Sequence, residues 1–158
     1  MTVTPETIDS YFEQYGWKYK RDEDGDWITG FRGDVQSFRF FIRMTEHWVY
    51  FTTISPFIVA PKDPVCAQRL HTHLMRLNRD INMAKFCLDQ DFDVVLTVEL
   101  PRESLDYSEF SDAIGALCHY ADSHYLEIIN LAQSPTAASQ YLKDKSAEDD
   151  LDWGEGTS

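Results

Sequence analysis

Long apolar runs are missing from this chain of 158 residues. None approaches the roughly 18–20 consecutive apolar residues that cross a bilayer as a helix, so no helical span is expected. Cysteine is scarce: Cys66, Cys87 and Cys118 form an odd set without a C-x-x-C pair, which suits reduced thiols better than a disulfide framework. Cations are few, with 14 Lys and Arg against 27 Asp and Glu, a formal net charge of -13. That balance opposes nucleic acid, whose affinity rests on Lys and Arg displacing counterions from phosphates, and it opposes an anionic membrane surface for the same reason. Met1 to Asp9 carry neither a basic stretch nor an apolar one, so a cytoplasmic location is expected. No P-loop, G-x-G-x-x-G or G-x-S-x-G elbow is present, which removes the sequence signatures of nucleotide binding and serine hydrolysis.

What the chain does have is apolar and aromatic weight, 43% and 14% of its residues. That is ample for one core, and the length suits one domain. Thr4-Pro5-Glu6 opens a helix, with Thr as N-cap and Pro at the first helical position. Ile8, Tyr11, Phe12 and Tyr15 recur at helical spacing, and Gly16 ends the run. From Trp17 the period changes to two. Strands are expected over Trp17–Arg21, Trp27–Phe31, Val35–Met44 and His47–Ser55, with the acidic Asp22–Asp26 segment as a turn. Asp63-Pro64 starts a second helix carrying Cys66, Leu70, His73, Leu74 and Leu77 on one face. Ala84–Leu88 and Asp93–Leu100 read as two more strands, and Asp106 with Glu109 opens a long third helix.

Beyond Gln133 the composition turns to Ser, Ala, Thr, Asp and Glu. Residues 134–158 hold six acids against Lys143 and Lys145, a net -4 that leaves -9 on the body. A disordered acidic tail is expected there, following a domain of residues 1–133. Within it Leu151-Asp152-Trp153 sets an apolar pair among acids, as a short docking motif or simply a soluble end. The fold class is α+β: an antiparallel sheet of five or six strands, helices on one side, in the order α-β-β-β(-β)-α-β-β-α.

The candidate chemistry fails on spacing. Asp22-x-Asp24-x-Asp26 and Asp89-x-Asp91-x-Asp93 resemble the opening of a calcium loop, but Trp27 and Gly33, or Val94 and Leu100, stand where an EF-hand needs Gly and a bidentate Glu. His71 and His73 are two apart on a helix and diverge by about 200°, so they cannot share a zinc. Cys66, Cys87 and Cys118 read as small buried hydrophobes rather than nucleophiles. No catalytic residue, metal or cofactor is expected.

The aromatics of the strands are more informative. Trp17, Tyr19, Trp27, Phe41, Trp48 and Tyr50 exceed what one sheet face holds, because alternation sets Phe41 opposite Phe38, Phe40 and Ile42. Hairpin curvature or the tail can cover the surplus. The functional reading is a sheet face or edge that meets another chain, with Trp17, Trp27, Arg39, Phe41, Arg43, Trp48 and Tyr50 as the protein-binding candidates.

Leu77-Asn78-Arg79-Asp80-Ile81-Asn82, leading into Ala84–Leu88 and then Val94–Pro101, resembles the YbjN family, as does the order of elements over residues 4–132. That bacterial family has been called a sensory-transduction regulator and is similar in fold to class I type III secretion chaperones; a related cyanobacterial family looks alike too. The resemblance implies a secretion-chaperone-like fold. With the aromatic surplus, it leads us to expect a non-enzymatic interaction module, chaperone-like or regulatory, that binds a partner polypeptide as a homodimer. The alternative is a small-molecule binder or enzyme with a pocket between sheet and helices, lined by His73 or His119.

Overall fold

A computed structural model describes residues 2–143. Helix α1 (Pro5–Tyr15) begins as the sequence indicates: the Thr4 hydroxyl accepts the backbone N–H of Thr7, whose side chain accepts that of Thr4 in return. Gly16 closes it at φ 82°, a left-handed conformation that costs glycine little. Four strands follow, β1 (Lys20–Arg21), β2 (Trp27–Arg32), β3 (Ser37–Met44) and β4 (Trp48–Thr53). Then come α2 (Pro64–Asp80), β5 (Lys85–Leu88), β6 (Val94–Pro101) and α3 (Tyr107–Gln133). Asp63 caps α2 through the backbone N–H groups of Val65 and Cys66, and Asp106 caps α3 through that of Glu109.

All strand pairs are antiparallel, in the sheet order β1-β2-β3-β4-β6-β5. Register makes one face apolar: Trp27, Ile42, Phe51 and Val98 line up across four strands, each at most 1% exposed. The three helices lie on that face, α3 over β4 and β6, α2 beside β5, and α1 against α3. Phe110 of α3 is the hub, with ring contacts to Tyr11, Phe12, Tyr15, Phe51 and Tyr107. Among the described residues no helix lies on the opposite face.

The two sheet edges differ. At β5 the carboxamide of Asn78, from α2, does the work of a neighbouring strand: it accepts the Phe86 N–H and donates to the Phe86 carbonyl, both at 2.9 Å. An exposed strand edge invites pairing with other chains, and here a side chain from α2 closes part of it. Asn78→Ala is expected to cost about 1–2 kcal/mol in urea denaturation and to increase self-association at the bared edge. At the other end, the expected first strand Trp17–Arg21 forms only at Lys20–Arg21. The Lys18 carbonyl accepts from the Thr29 hydroxyl rather than from a backbone N–H, and Trp17 and Tyr19 pack on the core.

Packing on the domain continues past the boundary expected at residue 133. Residues 134–143 run along α2 as a strap that contains a short 3-10 turn, Gln140–Leu142. Arg69, His73, Arg76 and Asp80, one stripe along α2, reach the Ala137 carbonyl, the Ser139 hydroxyl, the Tyr141 carbonyl and the Tyr141 hydroxyl. Small polar residues read as tail because their anchors lie on another element. The remainder of the expected tail, with Leu151-Asp152-Trp153, lies outside the described residues.

Candidate protein-interaction face

The uncovered sheet face is built by the same alternation that builds the core. Lys20, Ile28, Phe41, Thr52, Thr97 and Lys85 form one row across it, and Arg43, Tyr50 and Glu99 form the next. Trp48 stands opposite Pro101 at the end of β4, 42% exposed. Arg43 lies over the Phe41 ring, 5.3 Å from its centroid, and forks onto Asp26 with Nη2–Oδ2 at 2.6 Å. Asp26 is only 5% exposed, and its hydrogen bond makes the Arg43 guanidinium more basic than usual against the opposing effect of burial. The pair therefore holds one cation fixed above an aromatic ring. Arg39 reaches out beside Gly30, where a Cβ would meet the Phe38 carbonyl at 2.7 Å.

Five of the seven sequence candidates thus share this face: Arg39, Phe41, Arg43, Trp48 and Tyr50. Two do not. Trp27 is a core residue at 1% exposure, its indole N–H donating to Asp9 and its ring covered by Arg21. Trp17 is half-buried on the helix side, stacked on Phe31 and tilted against Phe40. Trp27 is corrected because the period of two fixes parity within a strand, while the face is set by pairing, and Trp27 opposes the buried Ile42; Trp17 stands outside β1, beside the β2 edge rather than on this face. Ile28, Thr52 and Thr97, absent from the candidate set, complete the face, and alternation on β2, β4 and β6 is the signal for them.

The other groups of chemical interest are held in structural roles. Asp22, Asp24 and Asp26 converge, as do Asp89, Asp91 and Asp93. Within them Asp22 accepts the Asp26 N–H, Asp26 pairs with Arg43, Asp89 accepts the N–H groups of Asp91 and Asp93, and Asp93 accepts that of Ala60. Cys66 is buried as expected, but Cys87 is exposed because its strand turns it to the uncovered face. Burial pushes the Cys118 thiol up to about 12, so it keeps its proton at neutral pH. Unforeseen in the sequence, Ser139, His73 and Glu127 meet: His73 Nδ1 lies 2.6 Å from the Ser139 hydroxyl and 3.4 Å from Glu127 Oε1. Both partners crowd one ring nitrogen, whereas a relay from carboxylate to serine needs one on each. Ser139 is also buried.

A six-stranded antiparallel sheet with three helices on one face defines the chain as an α+β protein of the secretion-chaperone fold. The SycH chaperone of Yersinia pestis, solved in complex with a fragment of YscM2, superposes with a TM-score of 0.52 at 12% identity, covering 75% of this chain and 97% of that one. A chain of the ExoU-SpcU complex from the Pseudomonas aeruginosa type III secretion system gives 0.54 at 16%, covering 80% and 98%. One from the ExsC-ExsE complex gives 0.54 at 15%, covering 81% and 97%. Residues 4–130 match the YbjN family, described as "Putative bacterial sensory transduction regulator", and the chain belongs to that family. No curated protein matches it.

Proposed function

We propose that the chain is a non-enzymatic protein-binding module, chaperone-like or regulatory, which meets its partner through the uncovered sheet face and self-associates as a homodimer in the cytoplasm. The observation that carries this reading is the face itself: Phe41, Tyr50 and Trp48 stand among Ile28, Thr52 and Thr97 on a side of the sheet that no helix covers. Aromatics beside Arg form the energetic centre of many interfaces. The similar folds were solved in complex with other polypeptides, which supports the general class. Between sheet and helices, by contrast, the cleft of α2 and β5 lined by His71, Leu74, Met75, Phe86, Cys87 and Leu88 holds about 100 Å³, below the roughly 300 Å³ at which ligand pockets begin. Described residues of the chain include no helix long and apolar enough to cross a membrane.

Size-exclusion chromatography with light scattering tests the reading. A concentration-dependent dimer is expected, and Phe41→Ala with Trp48→Ala is expected to weaken it about tenfold, the scale of a moderate interface anchor, while the circular-dichroism spectrum stays unchanged. A strict monomer at high concentration sinks the dimer, and a dimer indifferent to both substitutions sinks the assigned face.

A further inference from the structure

The edge of the sheet at β2 remains open. Hydrogen bonding from the Gly33 N–H to the Gln36 carbonyl fixes the alternation of the β2–β3 hairpin. That alternation turns the backbone N–H and C=O groups of Gly30 and Arg32 away from β3. β1 pairs only with Trp27 and Ile28, so among the described residues no strand lies beside these groups, and both residues are exposed. Two open grooves flank this notch. One, of about 670 Å³, is lined by Trp17, Lys18, Lys20, Ile28, Gly30 and Arg39 among others; the second, of about 560 Å³, adds Phe31 and Arg32.

The notch is basic in a chain whose net charge is -13. Lys18, Lys20, Arg32 and Arg39 line it, and among the described residues none of the four has a carboxylate within 4.0 Å. Strand parity puts Lys20, Arg32 and Arg39 on the uncovered side, around a glycine with no side chain. Trp17 and Phe31, stacked on each other, stand on the helix side. A strand entering here meets cations with one set of alternate side chains and aromatics with the other. The matching pattern is acidic, apolar, acidic, apolar. Asp150-Leu151-Asp152-Trp153 of this chain has it.

We propose that the segment Asp150–Trp153 of a second copy docks in this notch as an added strand parallel to β2, pairing its backbone with Gly30 and Arg32 so that the Leu151 N–H donates to the Gly30 carbonyl, its aspartates with the cations and Leu151 and Trp153 with the aromatic side. This deepens the homodimer reading and rests on it. Reach favours a second copy, because within one copy only a nearly fully extended linker would cover the distance. Lys143 leaves from α2, which lies beside β5, four strand spacings from β2, about 19 Å across the sheet. The helix layer adds about 10 Å of depth, and the route runs around the molecule. Seven residues to Asp150 span at most about 25 Å. Main-chain pairing at a free edge with alternate side chains read on either face is a standard mode of peptide capture.

Amide exchange on the full chain tests this. Protection at Gly30 and Arg32 is expected to rise with protein concentration and to vanish in Leu151→Pro, which keeps every charge but removes an N–H and the extended pairing. Protection independent of concentration yet lost in Leu151→Pro overturns the proposal in favour of docking within one copy, and no protection at any concentration overturns it outright. A fluorescein-labelled peptide of Ser146–Glu155, titrated into the full-length Leu151→Pro chain at low salt, is expected to bind, and to bind about tenfold more weakly when Lys18→Glu and Arg32→Glu are added. A scrambled peptide of equal charge binding equally well reduces the effect to bulk electrostatics and overturns strand addition. The two readings fail separately: the Phe41→Ala, Trp48→Ala chain still captures the peptide if the notch alone is right, and a persistent dimer without capture leaves the face and removes the notch.

Discussion

Trp27→Ala is expected to destabilise the protein by about 3–5 kcal/mol, whereas Trp48→Ala, on the same sheet, is expected to change stability by less than about 1 kcal/mol. The first indole is 1% exposed, the largest of the fully buried side chains. Its removal leaves a cavity beside Ile42 and strips Asp9 of the N–H it receives at 2.8 Å. Arg21, which lies 3.9 Å above the ring, loses its platform. Trp48 is 42% exposed and opposes Pro101 at the end of its strand, so truncation removes little packing. Chemical denaturation separates the two. Equal losses for both would mean that Trp48 is structural and that the uncovered face is not available to a partner. A Trp27→Ala loss below about 1.5 kcal/mol would mean that the core extends less far toward the β1–β2 end than the register implies.

That contrast marks where sequence reading stops. Elements written by local chemistry were legible: Thr4 and Asp63 as caps, prolines in first turns, Gly16 as a stop, and the Phe38, Phe40, Ile42 stripe of β3. Parity between strands was not, because nothing within Trp27–Arg32 states that Trp27 will oppose Ile42 and not Phe41. The open edge was equally hidden. A period of two from Trp17 to Arg21 describes alternation, but whether a partner lies alongside depends on the Thr29 hydroxyl taking the Lys18 carbonyl. The strap was missed for a third reason. Ser-Pro-Thr-Ala-Ala-Ser buries little apolar area, and its order comes from four polar groups on α2, of which only His73 drew notice, as a core residue.

Stability is expected to fall by about 3 kcal/mol as pH drops from 6.5 to 4, through His73 alone. Its ring is 0% exposed. Ser139 Oγ accepts the Tyr141 N–H at 3.0 Å and shares a hydrogen bond with His73 Nδ1, and Nε2 has no partner among the described residues. Burial, with the charge of His124 on α3 adding to it, lowers the His73 pKa from 6.5 to about 4. Below 6.5 the unfolded chain binds a proton that the folded chain refuses, so the folded state loses ground until about pH 4, at about 1.4 kcal/mol per pH unit. Arg69 and Arg76 lie on the same helix and reach the strap, favouring the neutral ring; Glu127 Oε1, 3.4 Å away on α3, favours the charged one and softens the effect. Asp89, held below the usual carboxylate range chiefly by the Ser55 hydroxyl, gives up its contribution only beneath this window. The comparison is urea denaturation of the native chain and His73→Asn, whose carboxamide oxygen can still accept from Ser139, at pH 7 and pH 4.5. The native chain is expected to lose about 2–3 kcal/mol more than the variant across that interval, and proteolysis within residues 134–143 is expected to rise in parallel, because a charged ring gains hydration when the strap that buries it lifts from α2. Equal losses in both proteins would mean that His73 does not carry the pH dependence.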